Sequence, residues 1–153
     1  DGPVVQGPTT RLTAFAGRDG ILLGVGLMPA GWALLYGGDA AGLANTSRPL
    51  EDYLPGIASG AIAQRLHAAP DFAARAAICI ESLLARLAAG ERCARVERIL
   101  AVQSAIADPA IATVAQLAEQ CGLGLRTLER LCLSAMGFPP KLLLRRQRFL
   151  RML

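Results

Sequence analysis

Between residues 121 and 153, seven basic side chains (Arg126, Arg130, Lys141, Arg145, Arg146, Arg148 and Arg151) stand against one acid, Glu129. A field of one sign over so short a stretch suits a phosphate backbone or another anionic partner. Arg126, Glu129 and Arg130 are spaced three and four residues apart, which on a helix stacks side chains one turn apart on one face. An arginine there can donate two hydrogen bonds to guanine O6 and N7, a pairing that discriminates by about 1–3 kcal/mol, or can hold a phosphate. A glutamate between them can accept from a cytosine amino group, or pair with a neighbouring arginine and orient it. The plain alternative for all three is the solvated face of a bundle helix.

Other chemistries lack participants. His67 is the one histidine, and no nucleophile stands near a base in the sequence. Asp19, Asp39, Glu51 and Asp52 lie in stretches that read as loops and caps, so general acid–base catalysis is not expected and neither is an enzyme. Cys79, Cys93, Cys121 and Cys132 form no CxxC pair, which leaves no metal grouping, and no cofactor motif is present. All four lie in apolar helical patterns, as buried thiols of a reducing cytoplasm do.

The elements that would position the basic face are explicit in IATVAQLAEQCGLGLRTLERLCLSAMG (111–137). Thr113 can cap a helix that buries Val114, Leu117 and Ala118 and leaves Glu119 and Gln120 in water. Cys121 to Gly124 makes a tight turn, with Gly122 able to supply a positive φ. A second helix from about Leu125 buries Leu128, Leu131 and Cys132 and stops at Gly137. This is a helix-turn-helix, whose second helix enters a major groove while the first crosses the backbone. Pro139 and Pro140 suit the first turn of a further helix. In that helix Leu143, Leu144 and Met152 pack inward, Arg145, Arg146 and Arg151 spread around it, and Arg148 is a candidate for an inward brace.

The charge is concentrated in this part of the chain. Residues 1–90 hold six arginines against seven acids, whereas 91–153 hold ten basic residues against five acids. Upstream, RLTAFAG (11–17) and ILLGVGLM (21–28) read as strands around a turn at Arg18 to Gly20, followed by a short helix in WALLYG and a loop-like crossing over 39–56. Helices are expected at about 57–68, 71–88 and 91–107, the second started by Pro70 and Asp71 and the third ended by Asp108–Pro109. The run 21–38 carries no charge, but its five glycines, its proline and its lack of a basic flank argue against a membrane span. It is instead a candidate seam for a homodimer. The expected fold class is mainly α: a small β-rich N-terminal segment followed by a helical bundle with one helix-turn-helix.

The stretch from Val114 to Leu153 resembles the first half of the DNA-binding domain of AraC/XylS-type regulators. Leu117, Ala118, Gly122, Arg126, Leu128, Arg130, Gly137, Pro140, Leu144 and Arg148 fall on the positions of that family's pattern. The resemblance implies base contacts by Arg126, Glu129 and Arg130, and a long helix after the prolines that links to a second helix-turn-helix. More weakly, residues 7–55 are similar to the closing part of a β-rich N-terminal domain found in some of these regulators. The implied organisation is 1–56 as the end of that domain, 57–90 as a helical connector, and 91–153 as the first helix-turn-helix subdomain with the start of the linker helix. The chain would then be a fragment of a longer regulator. Three positions depart from the pattern: Gly124 replaces a capping serine, Cys132 an aromatic, and Leu133 a polar or basic residue.

The expected function is sequence-specific DNA binding in transcription regulation, with Arg126, Glu129, Arg130, Thr127, Lys141, Arg145 and Arg146 as contacts to double-stranded DNA. The resemblance adds RNA polymerase and a small-molecule effector as partners of the full-length protein. The competing expectation is a helical interaction or oligomerisation module without specific DNA binding. It requires Arg126 and Arg130 to be ion-paired with acids elsewhere in the chain.

Overall fold

The computed structural model describes residues 3–12, 14, 22–53, 60–89 and 93–153. The chain is mainly helical, with a small two-stranded antiparallel sheet near the N-terminus. Strand β1 (Val4–Gln6) pairs with β2 (Ser47–Pro49) in the register Val4 to Pro49, Val5 to Arg48 and Gln6 to Ser47. The helices are α1 (Pro29–Tyr36), α2 (Gly60–Ala68), α3 (Phe72–Ala89), α4 (Ala94–Ala107), α5 (Val114–Gln120), α6 (Leu125–Met136) and α7 (Pro140–Leu150). Single 3-10 turns occupy Ala41–Leu43 and Leu50–Asp52.

Helix α4 is the hub. Its apolar positions Val96, Ile99, Val102 and Ala105 are all buried, and α1, α5, α6 and α7 pack around it. The cluster they form includes Leu117 and Ala118 of α5, Leu128 and Cys132 of α6, Leu144 of α7, and Ala30 and Ala33 of α1. Segments from both ends of the chain therefore share one core. Asp108 closes α4 as Asp–Pro sequences do, and its carboxylate accepts from the Ala110 N–H at 2.8 Å.

The hairpin of α2 and α3 packs against α1 through α3 but contributes no residue to this buried cluster. Asp71 starts α3, its Oδ1 accepting from the Ala74 N–H at 2.8 Å. The helical spacing expected for Phe72, Ile80 and Leu84 is present, yet all three are exposed. Arg75 of α3 reaches back to the Leu66 and Ala69 carbonyls, and Arg65 of α2 pairs with Glu81 at 3.3 Å.

The strands are not where alternation placed them. Residues 22–28 form no strand, and of 11–17 only Arg11, Leu12 and Ala14 are described, also outside any strand. A strand needs a partner to pair its backbone groups. Among the described residues the only ladder joins Val4–Gln6 to the 47–49 segment, leaving Leu22, Val25 and Met28 exposed. The short helix in WALLYG starts earlier than expected, because Pro29 takes the first helical position where its missing N–H costs nothing. Within α1, Trp32 stacks on Tyr36 with ring centroids 4.0 Å apart, and Tyr53 closes the cluster at 5.8 Å from Trp32. No helix among the described residues is long and apolar enough to cross a membrane.

Candidate nucleic-acid interface

Helix α5 begins with a reciprocal cap: Thr113 Oγ1 accepts from the Gln116 N–H at 3.2 Å, and Gln116 Oε1 accepts from the Thr113 N–H at 3.0 Å. It ends in a left-handed glycine closure. Gly122 stands at φ 62°, its N–H donates to the Glu119 carbonyl at 3.0 Å, and the Leu123 N–H donates to the Ala118 carbonyl at 2.9 Å. Those two bonds satisfy carbonyls that a helix end leaves open and turn the chain sharply into α6. Gly124 is the N-cap of α6 and offers no side-chain oxygen to its first-turn N–H groups.

Helix α6 is divided cleanly. Leu128 and Cys132 are fully inaccessible, Ala135 and Met136 are buried beside them, and Leu131 packs on the same cluster. Arg126, Glu129 and Arg130 are exposed. Together with Leu133 and Ser134 they line one open groove of ≈ 430 Å³, whose other wall is Asp39 and Ala41. The structure thus brings together the three residues that spacing put on one face. Arg126 and Arg130 make no ion pair: among the described residues the single salt bridge is Arg65–Glu81.

No family model, curated protein or solved structure matches this chain.

The remaining candidates lie elsewhere. Thr127 is half-buried and does not line the groove. Lys141, Arg145 and Arg146 are exposed on α7, which Pro140 opens as anticipated. Lys141 and Arg145 sit one turn apart, whereas Arg146 projects about 100° further round the helix. The brace expected of Arg148 falls to Arg151. Arg148 is exposed, while the Arg151 guanidinium donates to the Ala107 carbonyl at 2.7 Å and the Ile106 carbonyl at 3.3 Å, closing the end of α4. Met152, expected inside, is exposed, because α7 ends at Leu150 and the chain beyond it has left the core.

Thiol chemistry follows burial. Desolvation pushes the Cys132 thiol up to about 12, with Cys121 adding to the effect, and desolvation also raises Cys121. Cys93 behaves oppositely: backbone N–H groups of Val96 and Arg95 at the start of α4 lower its pKa. Unlike the buried thiol expected of it, Cys93 is exposed. No grouping of histidine, cysteine and carboxylates able to hold a metal occurs among the described residues.

Asp39 and Ala41 had no local signal marking them as part of this surface. The contact is set by the Ala40 N–H donating to the Ser134 carbonyl at 2.8 Å, and by Arg95 of α4 reaching the Gly37 carbonyl at 3.4 Å and Ser134 Oγ at 3.5 Å.

Proposed function

We propose that this chain is a DNA-reading unit of an AraC/XylS-type transcription regulator, with α6 entering the major groove and α5 crossing the backbone. The observation that carries the reading is that Arg126 and Arg130 pair with no acid among the described residues. They flank Glu129 on the exposed face of a helix whose opposite face is buried and whose entry angle is held by a left-handed glycine turn. The interaction-module alternative requires these arginines to be ion-paired with acids elsewhere in the chain, and no acid among the described residues lies within salt-bridge distance of them. In this reading Arg126 and Arg130 donate to guanine or phosphate, Glu129 accepts from a base amino group or orients an arginine, and Lys141, Arg145 and Arg146 supply phosphate contacts. The work is done in the cytoplasm.

The test is selection of genomic fragments by the purified chain at about 50 and 200 mM salt, a range over which purely phosphate-driven binding weakens strongly. The expected result is a common sequence that survives the higher salt and is lost in Arg126→Ala/Arg130→Ala. Recovery of arbitrary fragments only at low salt would reduce the role to phosphate binding. No recovery at either salt would favour an interaction module.

A further inference from the structure

The face of α6 assigned to DNA is already partly occupied by the chain itself. Arg126, Arg130 and Ser134 follow one another at four-residue steps, so Ser134 lies on the same face about 6 Å beyond Arg130 along the axis. At Ser134 a turn from the N-terminal part of the chain is pinned to the helix. The Ala40 N–H takes the Ser134 carbonyl at 2.8 Å, one of the last carbonyls of α6 and so without an acceptor role inside the helix. A Cβ built on Gly137 would stand only 3.1 Å from the Ala40 carbonyl oxygen, which shows how closely this turn lies on the end of α6. Asp39 faces the same groove as the two arginines, and its Oδ1 is fixed by the Ala41 N–H at 3.0 Å.

A helix with its side chains is about 10–12 Å across and the major groove about 12 Å wide, so a groove that admits α6 as far as Ser134 has no room for the backbone bonded there. The turn must then meet the phosphate strand that walls the groove. Its exposed carboxylate lines the same groove as Arg126 and Arg130, beyond salt-bridge distance of both, and so sets an anion near the cations that would meet phosphate. We propose that the Asp39–Leu43 turn is an intramolecular competitor for DNA, docked on α6 in the free chain and displaced from it when α6 enters the groove. The inference rests on the DNA-reading assignment of α6.

Two substitutions separate this role from simple support. Ala40→Pro removes the N–H that bonds Ser134 while keeping the turn, because Ala40 already stands at φ −69°, within the range proline fixes. Asp39→Asn removes the charge and keeps an oxygen for the Ala41 N–H. Binding of a labelled mixed-sequence duplex to the full chain at low salt is followed by fluorescence anisotropy, with Arg126→Ala/Arg130→Ala measured beside it. We expect Ala40→Pro to bind about tenfold and Asp39→Asn about two- to fivefold more tightly, the fold-changes of one net hydrogen bond and one partly screened charge. Unchanged or weaker binding by both variants, while wild-type binding is still lost in the arginine double variant, overturns the competitor role and makes the turn a support. Absence of binding in wild type and both variants fails the DNA-reading assignment itself.

Discussion

The two glycines of the α5–α6 turn are predicted to respond to substitution with opposite signs. Gly122 stands at φ 62° and Gly124 at φ −66°, ψ 149°, and a Cβ built on either meets no heavy atom within 4 Å. Neither substitution is therefore a packing experiment; only the backbone and the cap change. Alanine at 122 must hold a left-handed conformation costing about 1–2 kcal/mol, offset in part by a stiffer unfolded chain, for a net loss of about 1 kcal/mol. Serine at 124 sits in an ordinary extended conformation, stiffens the unfolded chain, and gives α6 an Oγ able to accept from its first-turn N–H groups. Its net gain is about 0.5–1 kcal/mol. Urea unfolding of the two variants beside the wild type, followed by circular dichroism and compared at a common slope, measures both. A Gly122→Ala variant as stable as wild type, or two shifts of the same sign, would refute the account of how this turn is held.

Further outcomes follow from the same geometry. Thr113→Ala is expected to cost about 1 kcal/mol by removing the reciprocal cap of α5, read as a lower urea midpoint and faster hydrogen exchange at Gln116. Leu128→Ala, at a fully inaccessible position between α4, α5 and α6, is expected to cost about 2–5 kcal/mol in the same unfolding assay. Alkylation mapped by mass spectrometry should modify exposed Cys93 before Cys121, and leave Cys132 untouched until the chain unfolds. The folded Cys132 thiol ionises near 12 and an ordinary thiol near 9.0, so unfolding releases a proton in that window. Stability from this group is complete below the lower value and falls as pH rises through the upper one, and Cys132→Ser should flatten that fall.

The helix-turn-helix was legible because its determinants are local. Thr113 and Gln116 are three residues apart, Gly122 and Gly137 mark two left-handed closures, Pro140 opens α7, and Leu117, Leu128 and Cys132 recur at helical spacing. The N-terminal part was less legible because its determinants are distant. Val4–Gln6 pairs with a segment more than forty residues away and no hairpin turn announces it, while the β-prone run 22–28 lacks a described partner. In α3 the periodicity of Phe72, Ile80 and Leu84 marked a helix correctly, but how much of its apolar face is covered depends on neighbours that periodicity does not encode. The arginine face was readable from spacing on one helix. Its opposite wall, Asp39 and Ala41, belongs to a turn brought there by backbone bonds, and any small residue in that turn would read the same.

Trp32 is the one tryptophan of the chain, and it sits on the helix whose alanines share the core with α4 and α6. Its ring lies flat against Tyr36, and its Nε1 is buried without a hydrogen-bond partner among the described residues. The protein consequently carries its own optical label in its N-terminal part, in the aromatic cluster of Trp32, Tyr36 and Tyr53. Wetting of that indole would move its emission to the red, so loosening of the cluster that Tyr53 closes over α1 can be followed in real time, at protein concentrations low enough for titration, without attaching a dye.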